Sequence, residues 1–223
     1  MSLPDLSADR SRALALTPVS RETVARLDRF VALLLKWQAI THLIAPSTVP
    51  ILWTRHIADS LQLLALAPEA EIWVDVGTGG GFPGLVLACA LYGKGGRLVH
   101  LIESNIKKAA FLREAVAATD APALVHAVRM EKFVESFAGR ADSVTARAVS
   151  PLTSLLGQCF PLLKRGALGL FPKGQDVESE LTDASKCWKM AADLVPSKTD
   201  PKARIVVIRA LEPRPLSPKS RTG

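Results

Sequence analysis

The part of this 223-residue chain best suited to chemistry is the glycine-rich segment 77–84. An apolar run at 72–74 precedes it and is typical of a buried strand, and a second apolar run at 85–91 is typical of a helix. Glycines let the backbone turn sharply and approach a ligand, because no Cβ intrudes. The free amides and positive dipole end of the following helix favour anionic groups. A strand, a glycine-rich turn and a helix in this order predict a site for an adenosine-containing cofactor.

Two cofactors are compatible with this turn. The Gly-x-Gly-x-x-Gly fingerprint of dinucleotide-binding folds is matched by Gly79, Gly81 and Gly84. An overlapping pattern, Asp75-x-Gly77-x-Gly79-x-Gly81, resembles the first motif of Rossmann-like methyltransferases, which bind S-adenosylmethionine. A carboxylate at position 75 would repel a pyrophosphate but would suit the cationic methionine end of S-adenosylmethionine, often through water. The turn by itself leaves both cofactors open.

Glu103 follows the next apolar run of the same kind, at 97–102. An acidic residue one βα unit after the glycine turn is where ribose hydroxyls are bound, since a carboxylate accepts both hydroxyl protons. We therefore expect Glu103 to contact the ribose of the cofactor. The alternative is a charge that favours the dipole of the next helix. Both candidate cofactors carry a ribose, so Glu103 does not separate them.

Strands and helices alternate from residue 71 onward, with strands predicted at 72–76, 98–102, 124–128, 143–149 and 167–171. Two last strands, 188–195 and 204–210, are separated by a gap too short for a crossover helix, which predicts an antiparallel hairpin. A dehydrogenase more often ends with six parallel strands. The predicted fold class is therefore α/β: a Rossmann-like class I methyltransferase with a seven-stranded, mostly parallel sheet, a C-terminal antiparallel hairpin and an N-terminal helical cap.

The same pattern predicts the domain organisation. Residues 1–18 are polar and are expected to be disordered. Residues 19–68 are expected to form the helical cap, with Ser20 as an N-cap and a helix over 49–66. Residues 69–211 would form the S-adenosylmethionine-binding domain, and 212–223 a basic, proline-rich tail.

Composition bounds the partners and the compartment. The net charge of +7 and the pI near 9.6 indicate attraction to polyanions such as RNA, or simply a solvated surface. No apolar run reaches membrane-spanning length, and the N-terminus lacks the pattern of a signal peptide. The three cysteines are far apart and suggest neither zinc nor disulfides. We expect a cytoplasmic monomer without a metal and without a membrane partner.

Several reaction types are excluded by missing residues. The only tyrosine, Tyr92, is followed four residues later by Gly96, so the Tyr/Lys pair of short-chain dehydrogenases is absent. The sequence has no Pro-Pro motif of the kind used to methylate base amines, and no cysteine placed to activate a pyrimidine ring. A nucleophile without a proton remains, and N7 of guanine is one example. Methylating it requires proximity and in-line alignment but no general base, so no catalytic residue is assigned.

An ordered set of motifs points to one family. The motifs are His42-Leu43-Ile44-Ala45, Arg55-His56-Ile57-Ala58-Asp59-Ser60-Leu61, the segment 75–84, Glu103-Ser104, Arg147-Ala148 and Lys173-Gly174. Together they resemble the small-subunit (16S) ribosomal RNA guanine 7-methyltransferases, also called glucose-inhibited division protein B, over about residues 20–210. The resemblance implies transfer of a methyl group from S-adenosylmethionine to N7 of one guanine in bacterial 16S rRNA, free or within the small subunit.

The resemblance also implies roles for individual residues. It places the cofactor against Gly77, Phe82, Met130, Glu131 and Arg147. With the motif residues discussed above, the full predicted cofactor site is Asp75, Gly77, Gly79, Phe82, Glu103, Met130, Glu131 and Arg147. Met130 is equally compatible with a core position. Arg147 suits either the cofactor carboxylate or an RNA phosphate, through its planar fork.

His56 and Lys173 are the predicted contacts to substrate RNA. The alternatives are a structural histidine on the cap and an ordinary surface lysine. Three functions remain open at this point: an rRNA methyltransferase, an NAD(P)-dependent oxidoreductase of Rossmann type, and an RNA-binding protein without catalytic activity.

Overall fold

The computed structural model describes residues 5–147 and 150–215. Within these ranges seven strands form one sheet in the spatial order β3-β2-β1-β4-β5-β7-β6. The strands are β1 (Ile72–Val76), β2 (Leu98–Ile102), β3 (Ala123–His126), β4 (Ser143–Thr145), β5 (Leu168–Lys173), β6 (Trp188–Pro196) and β7 (Arg204–Pro213). β1 to β5 pair in parallel, whereas β7 is antiparallel to both β5 and β6. The predicted fold class is confirmed, including the terminal hairpin.

The cap precedes the sheet and consists of helices of several kinds. It contains α1 (Ser7–Leu16), α2 (Arg21–Gln38), a 3₁₀ turn at Pro46–Ile51, a π-helical segment at Trp53–Ala58, a short α3 (Asp59–Leu61) and a second 3₁₀ turn at Gln62–Leu66. Ser20 caps α2 as predicted, accepting a hydrogen bond from the Thr23 amide at 3.2 Å. The single helix predicted over 49–66 is wrong. Pro46 and Pro50 bring a tight 3₁₀ turn at its start, and the widened π turn follows.

The prediction that residues 1–18 are disordered is wrong for 7–16, which form α1. This segment is ordered because it contains a buried carboxylate, which the polar character of the sequence does not indicate. Asp9 accepts hydrogen bonds from the amides of Trp53 at 2.7 Å and Thr54 at 3.2 Å, and so caps the π-helical segment. Arg10 adds an ion pair with Asp28 at 2.8 Å. Residues 1–4 lie outside the described part.

Four helices connect the parallel strands and a fifth follows β5. They are α4 (Gly84–Leu91), α5 (Ile106–Thr119), α6 (Met130–Ser136), α7 (Leu152–Leu163) and α8 (Val177–Cys187). Asn105 starts α5, because its side chain accepts from the amides of Lys107 and Lys108. The cap, α4 and α5 cover one face of the sheet, and α6 to α8 cover the other. Burial on both faces explains why β1 and β2 are mostly apolar.

Several predicted boundaries differ from the structure: β3 ends two residues earlier than predicted, at His126, and β5 ends two residues later, at Lys173. β4 ends at Thr145 rather than at 149, and residues 148–149 lie outside the described part. β7 extends to Pro213, because it keeps pairing with β6 past the predicted domain end at 211. The remainder of the predicted tail from residue 216 onward is also outside the described part. Among the described helices, none combines the length and the apolar character needed to cross a bilayer.

Candidate cofactor and substrate site

The glycine turn lies between β1 and α4, at the carboxyl edge of the sheet. Gly77, Gly79 and Gly81 have φ angles of 65°, 56° and 91°, the left-handed region that glycine adopts without strain. The Thr78 amide donates to the carbonyl of Ile102 at the end of β2, at 3.1 Å. The turn is thereby tied to the neighbouring strand.

Asp75, in β1, holds the end of the glycine turn through a hydrogen bond. Its carboxyl is fully buried and accepts a hydrogen bond from the Gly84 amide at 2.7 Å. Burial raises the pKa of Asp75 to about 7, because a charge is poorly solvated there. A Cβ at Gly84 would lie 2.6 Å from the Cβ of Asp75. Packing of α4 against β1 therefore explains the third glycine of the apparent dinucleotide fingerprint, without any pyrophosphate.

Glu103 connects the turn to the second strand. Its carboxylate accepts from the Gly79 amide at 3.0 Å and from the Asn105 amide at 2.7 Å. The side chain is nearly buried, yet it lines a cleft at the sheet edge. Each carboxylate oxygen has a second lone-pair direction, so Glu103 can still accept from hydroxyl groups in that cleft. The contact with the Asn105 amide places Glu103 at the start of α5, and its ribose role remains a prediction that this geometry permits.

The cleft beside Glu103 has a volume of about 190 Å³. It is lined by Val76, Gly77, Ile102, Glu103, Ser104, Val128, Arg129, Met130, Glu131 and Gln158. The structure therefore brings together the predicted residues Gly77, Glu103, Met130 and Glu131, which come from three different βα units. Met130 is buried at the start of α6 and belongs both to the core and to the cleft wall.

Sequence reasoning missed several lining residues. Ser104 and Arg129 directly follow or precede predicted positions, so the spacing could have indicated them. Gln158 comes from α7, and the one signal was a polar side chain within a largely apolar helix. Its place beside Glu131 depends on how α7 packs on the sheet, which the local sequence does not specify.

Phe82 lies in the glycine turn, with its ring packed against the cap. Its ring is buried, with a ring-centroid distance of 5.3 Å to Phe30 and 4.9 Å to His56. The described lining of the cofactor cleft does not include it. Phe82 connects the glycine turn to the cap, and its direct contact with a cofactor remains a prediction.

Arg147 lies just after β4 and is held on several sides. Its Nη1 donates to the Arg55 carbonyl at 3.0 Å and lies 3.5 Å from the Asp59 carboxylate. Its Nη2 lies 2.6 Å from Nδ1 of His56, and the guanidinium lies 5.3 Å from the centroid of the Phe82 ring. Arg147 therefore lies just past the carboxyl end of β4, where residues of the cap contact it.

His56 does not present a free ring to RNA. Its side chain is buried, Nδ1 faces Arg147, and Nε2 lies 2.8 Å from Oγ1 of Thr48. Burial, together with the charges of Arg147 and Arg55, lowers the pKa of His56 to about 3. The ring is neutral near pH 7, and the structure favours the alternative interpretation of a satisfied histidine on the cap.

A second, larger cleft of about 560 Å³ has Arg147 in its lining. It is lined by Arg55, Asp59, Arg147, Ser150, Pro151, Pro172, Lys173, Gly174, Asp176, Glu180, Asp200 and Ala203. The ammonium group of Lys173 is largely buried, pairs with Glu180 at 2.8 Å and donates to the Ser150 carbonyl at 2.9 Å. Glu180 also accepts from the Leu152 amide at 2.6 Å. Lys173 therefore holds the segment after β4 rather than extending a free charge.

The residues present fit an adenosine cofactor with a charged methionine end. Glu103 offers acceptors for ribose hydroxyls, and Met130 offers an apolar surface for a base. Under the turn, Oδ1 of Asp75 and Oγ1 of Thr78 are buried without a hydrogen-bond partner among the described residues. The Thr78 hydroxyl neighbours the Asp75 carboxyl and acts to lower its pKa against the larger effect of burial.

Solved structures of the same fold are methyltransferases. The O-methyltransferase from Bacillus cereus in complex with S-adenosylhomocysteine has a TM-score of 0.58 at 13% identity, covering 92% of this chain and 98% of that chain. TomG from Streptomyces achromogenes, an O-methyltransferase in complex with S-adenosylmethionine, has a TM-score of 0.59 at 12% identity, covering 94% and 99%. Identities this low compare folds alone. The fold is therefore that of the Rossmann-like class I methyltransferases.

The sequence comparison then narrows the class. The family model for rRNA small subunit methyltransferase G matches residues 23–211. Ribosomal RNA small subunit methyltransferase G of Bradyrhizobium sp. strain BTAi1 is 60% identical over 207 residues, covering 93% of this chain and 93% of that protein. The protein of that name in Rhodopseudomonas palustris strain BisB18 is 57% identical over 214 residues, covering 96% and 92%. The chain belongs to the rRNA small subunit methyltransferase G family.

Family membership confirms the predicted resemblance, the predicted enzyme class and S-adenosylmethionine as the predicted cofactor. The alternative hypothesis of an NAD(P)-dependent oxidoreductase finds no support, since the glycine pattern that motivated it is explained by the packing of Gly84 against Asp75.

Proposed function

We propose that this protein transfers a methyl group from S-adenosylmethionine to N7 of one guanine in 16S rRNA. The observation that carries the proposal is the cleft at the carboxyl edge of the sheet, where Gly77, Glu103, Met130 and Glu131 converge in a chain of the rRNA small subunit methyltransferase G family. An rRNA substrate accords with the net charge of +7, and we expect the enzyme to act in the cytoplasm. We expect it to act as a monomer.

Each wall of the cofactor cleft has a distinct task in this proposal. Gly77 lets the backbone approach the ligand, and Glu103 accepts from the ribose hydroxyls. Met130 packs against the adenine, and Glu131 accepts from its amino group. The cofactor supplies an electrophilic methyl group on a sulfonium. The protein residues hold that end of the ligand in line with the incoming nucleophile.

The proposed reaction needs no general base. N7 of guanine has an in-plane lone pair and carries no proton, so nothing has to be removed before methyl transfer. Two titratable side chains near Arg147 are not available as a base. His56 uses both ring nitrogens in contacts, and Lys173 is paired with Glu180. Proximity and alignment supply the rate enhancement in this scheme.

The second cleft is the proposed entry for the target nucleotide. Its volume of about 560 Å³ and its place beside Arg147 suit a nucleotide brought towards the cofactor cleft. Arg55, with its side chain about half exposed, is available to an approaching phosphate, because arginine presents several donors in one plane. The specificity for one guanine would come from the fold of the surrounding RNA, which positions that base at the cleft.

The test is methyl transfer from radiolabelled S-adenosylmethionine to small ribosomal subunits that lack the modification. We expect label in 16S rRNA at a single guanine, and chemical cleavage specific for 7-methylguanine maps it. Label at another atom or base would contradict the proposed specificity. Absence of transfer to both free rRNA and subunits, by protein that binds S-adenosylhomocysteine, would contradict the function itself.

A further inference from the structure

His56 belongs to a chain of hydrogen bonds whose direction the structure determines completely. Arginine has only donors, so Nη2 of Arg147 donates to Nδ1 of His56 at 2.6 Å. The neutral ring then carries its proton on Nε2, which donates to Oγ1 of Thr48 at 2.8 Å. The Thr48 hydroxyl donates in turn to the Ala45 carbonyl at 2.8 Å, which can only accept. Every member of the chain therefore has one possible role.

The His56 ring is also held in place by packing. Its centroid lies 4.9 Å from that of Phe82 at an interplanar angle of 34°, so the ring lies against the side chain that follows the glycine turn. Because the ring is neutral, it accepts from the guanidinium without opposing its charge. A protonated ring would carry a hydrogen on Nδ1 as well, so that two donors would face each other and the hydrogen bond with Arg147 would be lost.

The contacts of Arg147 leave part of its fork available. Nη1 is used by the Arg55 carbonyl and the Asp59 carboxylate, and one N–H of Nη2 is used by His56. Nε and the second N–H of Nη2 have no acceptor within the residues that the structure describes. Nε and Nη2 flank one edge of the guanidinium, and N–H groups on that edge suit an oxyanion because the hydrogen bonds are charge-assisted.

We propose that His56 is a positioning residue that orients the free edge of Arg147 towards an oxyanion, either the cofactor carboxylate or an RNA phosphate. His56 touches neither ligand and acts through Arg147. This inference rests on the proposed function, because it assigns the oxyanion to the substrates of that reaction. It replaces the prediction that His56 contacts RNA.

Matched substitutions separate positioning from packing. In His56→Asn the side-chain oxygen occupies the place of Nδ1 and keeps the acceptor for Arg147. In His56→Gln the amide reaches the place of Nε2, keeps the contact with Thr48 and loses the acceptor. We expect His56→Asn to stay within about threefold of wild type, and His56→Gln and His56→Ala to lose roughly tenfold in one binding constant, as for loss of a charge-assisted hydrogen bond.

The affected constant identifies the oxyanion. A tenfold rise in Kd for S-adenosylhomocysteine by calorimetry assigns the cofactor carboxylate, and a rise in KM for the ribosomal subunit at unchanged Kd assigns an RNA phosphate. Equal behaviour of the Asn and Gln variants, or a better Gln variant, would overturn the inference. If wild-type protein itself fails to methylate rRNA, the proposed function fails instead, and calorimetry still reports on His56.

A measurement on wild-type protein covers the case in which the variants do not fold. Nitrogen NMR of ¹⁵N-histidine protein distinguishes the tautomers of the four histidines. We expect His56 to show an unprotonated Nδ1 and a protonated Nε2 at pH 6 and at pH 8. The opposite tautomer, or an imidazolium at pH 6, would overturn the inference.

Discussion

Glu103 accepts a hydrogen bond from the Gly79 amide at 3.0 Å while its carboxylate lines the cofactor cleft. One side chain thus shapes the glycine turn and faces the cleft in which we propose that the cofactor binds. If Glu103 also accepts from the ribose, a change at this position affects binding through two physical routes, the lost acceptor and the loosened turn.

Replacing Glu103 by Gln tests this relationship. The amide oxygen can still accept from one backbone amide, but the charge that strengthens hydrogen bonds to hydroxyls is lost. We expect Kd for S-adenosylhomocysteine to rise by about tenfold, or ~1.4 kcal/mol, in calorimetry. Glu178→Gln, at an exposed position on α8, is the matched control and should leave Kd unchanged. An unchanged Kd for Glu103→Gln would remove Glu103 from the cofactor site.

Gly77→Asp should abolish measurable binding of S-adenosylhomocysteine. Gly77 lines the cleft with φ at 65°, so a carboxylate there adds bulk at the place of the ligand. Gly93→Asp is the matched control, since Gly93 has φ at 74° and no atom within 4 Å of its would-be Cβ. Both variants bear similar backbone strain, and both should lower Tm by a few degrees. Retained affinity in Gly77→Asp would contradict the assignment of the cleft.

Asp75 should make stability depend on pH. Its pKa of about 7 in the folded protein exceeds the ordinary 3.8, so between about pH 4 and 7 the folded state holds a proton that the unfolded state has released. The free energy of unfolding therefore falls as pH rises through this window. The Asp75→Asn side chain cannot ionise and still accepts a hydrogen bond from the Gly84 amide. The unfolding free energy of this variant therefore does not fall with pH on account of position 75.

The measurement is urea unfolding of wild type and Asp75→Asn at intervals from pH 4 to pH 8. The difference in unfolding free energy should move in favour of the variant by roughly 1 to 4 kcal/mol up to pH 7 and then level off. His56 acts in the opposite direction in both proteins, because its lowered pKa removes stability as pH falls below about 6.5, so the comparison cancels it. A difference that stays constant with pH would contradict the burial argument for Asp75.

Glu180→Gln should impair use of the ribosomal substrate more than binding of the cofactor. Glu180 and Lys173 together hold Ser150 and Leu152 at the edge of the second cleft, and neutralising Glu180 leaves the Lys173 ammonium without its partner. We expect KM for the ribosomal subunit to rise by about tenfold or less, with Kd for S-adenosylhomocysteine unchanged. Lys189→Gln, which breaks the exposed pair with Glu212, is the control and should change neither constant.

Arg147→Lys tests whether the fork or the charge matters at the junction of cap and sheet. Lysine keeps the charge but cannot bridge Arg55, Asp59 and His56 in one plane. We expect kcat/KM to fall by about tenfold to a hundredfold with an unchanged far-ultraviolet circular dichroism spectrum, and Arg147→Ala to lose at least as much. Wild-type kinetics in Arg147→Lys would retire the proposed role of the guanidinium.

The sequence by itself was enough to predict the seven strands, the parallel arrangement that ends in an antiparallel hairpin, and the glycine turn. It also indicated that Glu103 follows β2. These features depend on local periodicity and on short spacings along the chain. Tertiary structure alone decided the rest. Asp9 caps a segment 44 residues away, and His56 meets Arg147 across 91 residues. Such contacts depend on how the cap packs on the sheet. That packing buries His56 beside the charges of Arg147 and Arg55, which lowers the pKa of His56. His56 was predicted to contact RNA, and in the structure its ring contacts Arg147.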